Sequence, residues 1–80
     1  MSDFRAAALE VLQQEARPLH WTVIQDLALR RGLIDPFTEP DVRGRLLAAL
    51  AQATRDGTLV RESRGVYTLP EAGRPGGQPD

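Results

Sequence analysis

Residues 58–69, TLVRESRGVYTL, decide the fold. Thr58–Glu62 and Val66–Leu69 read as two strands around Ser63-Arg64-Gly65, a hairpin with glycine in its turn. Everything upstream has helical periodicity, so a run of helices ends in one hairpin. Three amphipathic helices cannot all bury their apolar faces against one another alone. A hairpin folded back on them supplies the missing layer.

Working outward, the chain divides cleanly. A first helix takes its N-cap oxygen from Ser2 or Asp3 and carries Phe4, Ala8, Val11, Leu12 and Glu15 at helical spacing. It stops near Arg17, because Pro18 drives the preceding residue out of the helical region. Pro18–Trp21 is a short extended piece. A second helix starts at Thr22, where Thr22-Val23-Ile24-Gln25 has the form of a capping box. Val23, Ile24, Leu27 and Ala28 give it a buried stripe, Arg30-Arg31 suit the negative end of its dipole, and Gly32 follows as the C′ residue.

Residues 33–38 form a connector around Asp35-Pro36. The spacing then predicts a third helix with Thr38 as N-cap and Pro40 in the first turn, where a missing N–H costs nothing. Glu39 and Asp41 favour its positive end, and Asp56-Gly57 ends it. Val42, Leu46, Ala49, Leu50 and Ala53 share one narrow arc and face the core. From Pro70 the composition turns Pro/Gly-rich, so residues 1–70 read as the folded domain and 71–80 as a disordered tail. The order helix, short strand, helix, helix, hairpin is that of a winged helix-turn-helix: mainly α, with a small β wing.

Composition narrows the function. Eighty residues make one domain with a modest core and no room for a deep substrate cavity. The absence of cysteine removes disulfides and thiolate zinc sites, and the single histidine, His20, cannot hold a metal alone. No metal, cofactor or small-molecule substrate is expected. No apolar run approaches the roughly 20 residues that span a bilayer, and no signal segment opens the chain, so the expected place is the cytoplasm and not a membrane. Catalytic groupings are missing too: there is no Ser/His/Asp or Cys/His set and no phosphate-cradling glycine loop. Asp35 and Glu39 read as turn and capping acids. The sequence describes a binding module.

Charge points to what is bound. Residues 1–42 hold four arginines against seven acids, a net of -3, whereas residues 43–65 hold five arginines against Asp56 and Glu62, a net of +3. Such asymmetry suggests a surface facing a polyanion, although so small an excess can equally serve solubility. All ten basic residues are arginine, which suits bidentate phosphate contacts and equally a GC-rich genome.

In a winged helix that binds DNA, the third helix enters the major groove and the wing touches flanking backbone. Arg45 and Gln52 are the candidate base readers, since guanidinium pairs with guanine and carboxamide with adenine. Arg43, Arg55, Arg61 and Arg64 are the candidate phosphate contacts. A second reading stays open. Gly44, Ala48 and Ala51 form a smooth stripe with Leu47 beside it, which suits a protein partner or a second copy of the chain. Arg43 and Arg45 can also simply pair with Glu39 or Asp41. Trp21 and Tyr67 read as core and wing packing, and His20 as an exposed or hydrogen-bonded residue at a strand end.

The residue order is itself similar to a known family. AALEVLQQEARPLHWTVIQDLALRRGLI (residues 7–34) and LVRESRGVYTL (residues 59–69) resemble HARE-type helix-turn-helix domains, through Pro18-Leu19-His20-Trp21 and Arg64-Gly65-Val66-Tyr67 above all. The likeness runs from about residue 4 to residue 70. The third helix departs from it, because Glu39 separates Thr38 from Pro40 and the outer face is largely alanine. The resemblance implies a winged helix of the kind found in bacterial regulators, restriction systems, chromatin proteins and the delta subunit of bacterial RNA polymerase. It implies double-stranded DNA as partner for most members, and a polymerase contact for the delta subunit.

Overall fold

A computed structural model describes residues 3–70. The tail reading for residues 71–80, and Ser2 as a cap, lie outside the described residues. The elements are α1 (Phe4–Glu15), β1 (Leu19–His20), α2 (Trp21–Arg30), α3 (Val42–Arg55), β2 (Val60–Ser63) and β3 (Val66–Thr68). The strands form one antiparallel sheet in the order β1-β3-β2. The fold is a winged helix-turn-helix, with Leu19–His20 of the expected extended piece adding a third strand to the hairpin and Trp21 already opening α2.

Asp3 caps α1, its Oδ1 accepting from the Ala6 amide at 3.0 Å. The helix ends at Glu15, and Ala16 takes a left-handed conformation (φ 56°) with its amide on the Leu12 carbonyl at 2.9 Å. Phe4, Ala7, Ala8, Val11 and Leu12 meet Ile24 and Ala28 of α2, Leu46, Leu50 and Ala53 of α3, and Leu19 and Leu59 in one core. Each large side chain of that set contributes about 1.5–3 kcal/mol by leaving water. Val42 and Ala49 of the predicted arc pack on its edge.

Two helix starts differ from the sequence reading, and both for tertiary reasons. Thr22 is not the cap of α2. His20 is, with Nδ1 accepting from the Thr22 amide at 3.2 Å and lying 2.8 Å from the Thr22 hydroxyl. Pairing of β1 with β3 delivers His20 in extended conformation to the helix entrance, and the Trp21 amide is taken by the Gly65 carbonyl at 2.8 Å. The capping box does not form, and Gln25 Oε1 is buried with no hydrogen-bond partner among the described residues. Thr38 does not cap α3 either, and Pro40 lies outside that helix. Asp35 closes a turn first, its carboxylate accepting from the Phe37 amide and its carbonyl from those of Thr38 and Glu39. Asp41 becomes the cap instead, with φ 54° and Oδ1 accepting from Gly44 at 3.1 Å.

Two apolar assignments change with these starts. Val23 stands 39% exposed and leaves the predicted stripe of α2, while Ile34, read as connector, is fully buried. Beyond Gly32 (φ 72°), the Leu33 and Ile34 amides both return to the Ala28 carbonyl, which turns Ile34 inward.

Arg5 ties the α3–β2 connection to α1 through Asp56 (2.7 Å) and the Thr58 hydroxyl (2.7 Å). The Arg5 hydrogen bond, joined by the Thr58 hydroxyl and amide, holds the Asp56 carboxyl at about 2, below its ordinary 3.8. A carboxyl lowered by folding stabilises fully above its unfolded value and loses that contribution as pH falls through the folded one. Arg5→Ala is expected to flatten the fall in stability between pH 4 and 2, read from urea midpoints across that window. Glu15, lowered by its Arg31 hydrogen bond, titrates alike in both proteins and cancels in the comparison.

The wing turn provides a second test. Gly65 has φ 74°, and a Cβ there would lie 2.8 Å from His20 Nε2. Gly32 has φ 72° and open space around it. Both Gly→Ala changes cost about 1–2 kcal/mol for a left-handed alanine. Gly65→Ala is expected to cost more, because it also displaces the cap of α2, and equal urea midpoints for the two would refute the contact.

Candidate nucleic-acid interface

The arginines sort by whether an acid pairs with them, Glu15 serving two. Arg5 pairs with Asp56 at 2.7 Å, Arg17 with Glu15 at 3.3 Å, Arg30 with Asp26 at 2.9 Å, and Arg31 with Glu15 at 2.6 Å. Arg45 sits 3.6 Å from the buried carboxylate of Glu39. Among the described residues, Arg43, Arg55, Arg61 and Arg64 make no ion pair. All four are exposed, and all lie on α3 or the wing. A stretch with a small positive excess therefore presents four uncompensated charges on two adjoining elements.

Each is positioned differently. Arg43 leaves the first turn of α3 and lays its guanidinium 5.5 Å from the centre of the Trp21 ring. Arg55 ends α3, whose negative dipole end suits a cation. Arg61 projects from β2 opposite Tyr67, and Arg64 occupies the turn beside Gly65. Tyr67↔Arg61 and Val66↔Ser63 leave Glu62 as an extra, bulged residue between them. Arg61 and Arg55 come together with Ala51, Thr54 and Tyr67 around an open crevice of about 220 Å³.

The two candidate base readers lie seven residues apart on α3, about 10 Å along one face. Gln52 is exposed, while Arg45 is held by Glu39. Of the small-residue stripe, Ala48 is exposed, and Gly44, Leu47 and Ala51 are half-buried. A Cβ on Gly44 would overlap the Asp41 carboxylate, so that glycine belongs to the cap of α3. Ala51 lines the crevice.

Trp21, read as core, is half-buried at the core's edge, with its ring beneath Arg43 and 5.7 Å from the His20 ring. Neighbours in sequence offer no sign of that stacking, since Trp21 and Arg43 are brought together only by packing α2 on α3. Tyr67 is half-buried against the core as wing packing requires, and His20 is exposed. Among the described residues no group of histidines or acids could hold a metal ion, and no helix is long and apolar enough to cross a membrane.

Residues 3–72 match the model of the HARE-HTH family, whose description names ASXL and restriction endonuclease HTH domains. The chain is a HARE-HTH domain. No curated protein and no solved structure matches it. HARE-HTH is a helix-turn-helix family associated with DNA binding and is not a family of enzymes. In this HARE-HTH domain the described cations without acid partners lie on the helix and hairpin that such folds turn toward nucleic acid.

The single tryptophan makes the Arg43 contact measurable. Arg43→Ala is expected to shift Trp21 emission while costing no more than about 1 kcal/mol, the scale of an exposed cation–π pair. Unchanged emission in a folded variant would place the guanidinium elsewhere in solution.

Proposed function

We propose that this HARE-HTH domain binds double-stranded DNA through α3 and the wing, with weak or no sequence preference, as a transcription-related or nucleoid-associated accessory in the cytoplasm. The observation that carries this reading is the sorting of charge: among the described residues, the four arginines without acid partners all lie on the two elements that would face the duplex. Arg43, Arg55, Arg61 and Arg64 neutralise three or four phosphates between them, which sets position and carries no sequence information. Base reading is left to few groups. Gln52 can address an adenine edge, whereas Arg45 must first leave Glu39. Ala48 and Ala51 offer a base edge no hydrogen bond. Affinity therefore exceeds specificity.

Three or four neutralised phosphates predict a salt slope of about -3 to -4 in log affinity against log salt. Fluorescence anisotropy with a labelled random-sequence duplex, at several salt concentrations, measures it. Arg61→Ala/Arg64→Ala is expected to lower the slope magnitude by about one to two and to weaken binding to all sequences alike. Unchanged affinity in that double variant would overturn the interface. No binding by the wild type at low salt would overturn the DNA reading and turn attention to a protein partner on Leu47 and Ala48.

A further inference from the structure

We propose that the crevice between the last turns of α3 and the wing is a seat for one phosphodiester group, clamped by a guanidinium from each element. The proposal rests on the DNA reading and gives one contact a definite address. Ala51 and Thr54 of α3 and Tyr67 of β3 line it, and Arg55 and Arg61 stand at it from α3 and β2. At about 220 Å³, its volume is several times the roughly 30 Å³ share of one water, enough for a tetrahedral phosphate with part of its hydration shell.

The chemistry of the lining selects an anion. Among the described residues neither arginine has an acid partner, and the nearest acid in sequence to Arg55, Asp56, is engaged by Arg5 at 2.7 Å. The Thr54 hydroxyl donates to the Leu50 carbonyl at 2.8 Å, so the donors left are the two guanidinium forks and the Tyr67 hydroxyl. Forked guanidinium donors match phosphate oxygens in pairs. One feature opposes an anion: α3 ends here, with about half a negative charge at its C-terminus. Two full positive charges outweigh it. The last carbonyls are also partly satisfied, that of Gln52 by the Asp56 amide and that of Ala53 by the Thr58 and Leu59 amides.

The small side chain of Ala51 keeps the crevice open. A larger residue there closes the seat without removing charge, which separates a seat from a diffuse basic field. A phosphate held by both arginines also bridges α3 and the wing, so occupying it draws the two duplex-facing elements together.

The test is a double-mutant cycle on affinity for a random-sequence duplex. Ala51→Leu is expected to weaken binding several-fold and to reduce the salt slope by about 0.9, the share of one phosphate. Combined with Arg61→Gln it should cost little more than either change alone, because both remove the same contact. Combined with Arg64→Gln it should cost the product of the two factors. Full multiplicativity with Arg61→Gln, or full affinity in Ala51→Leu, overturns the seat and leaves the DNA reading standing. Where Ala51→Leu does not fold, the exposed pair Arg55→Gln and Arg61→Gln carries the same cycle. Where the wild type binds no DNA, the DNA reading falls, and titration with inorganic phosphate decides the seat by itself. Resonance shifts at Arg61 and Tyr67 that disappear in Ala51→Leu support it, and no shift there overturns it.

Discussion

The hydrogen bond from the Trp21 amide to the Gly65 carbonyl, at 2.8 Å, joins the helices to the wing, and much of the molecule follows from it. It continues the β1–β3 ladder by one step into the first residue of α2. The wing tip is thereby held to the helix entrance, where a free hairpin would be marginal in water. The bond requires the left-handed turn at Gly65 and leaves no room for a side chain there. It also sets His20 in extended geometry, which makes its ring nitrogen the cap of α2. Finally it fixes Trp21 at the core's edge, where the ring supports Arg43 of the third helix. One backbone contact thus relates wing, α2 and α3, the three elements whose mutual placement defines the proposed surface.

How much of this was legible in the chain depends on the range of the interactions involved. Helix interiors and the hairpin were, because burial of Leu46, Leu50 and Ala53 on one arc and the glycine at the turn are local patterns. The starts of α2 and α3 were not, because an N-cap is a competition among neighbouring donors and acceptors that distant parts of the chain decide. Thr22 lost to His20 once β3 held β1, and Thr38 lost to Asp41 once Asp35 had taken the amides before it. Ile34 reached the core through the turn after Gly32, which periodicity does not register.

The site divides the same way. That Arg43, Arg55, Arg61 and Arg64 stand on the third helix and wing follows from the element order alone. Which arginines keep their charge unneutralised does not, since Arg5–Asp56 and Arg31–Glu15 join residues far apart in the chain. The sequence left Arg45 open between reading a base and pairing with an acid, and the structure shows the pair with Glu39. The support of Trp21 beneath Arg43 and the crevice between α3 and β2 are products of packing.

The two ends of α3 are electrostatically unlike, and this bears on how such a helix can meet a duplex. At its start, Asp41 supplies the cap and Glu39 engages Arg45, so carboxylates offset the positive end of the dipole that would otherwise draw a phosphate. Only Arg43, carried on Trp21, projects uncompensated charge there among the described residues. At its end, Arg55 is joined by Arg61 from β2, and Arg64 follows in the wing turn. The positive field is therefore centred toward the junction of helix and wing and away from the N-terminal turn. Phosphate attraction would then orient the domain by that junction. Gln52, one turn before the end of α3, would be the polar side chain of the helix brought nearest to the bases, which fits a module that holds the backbone firmly and reads sequence poorly.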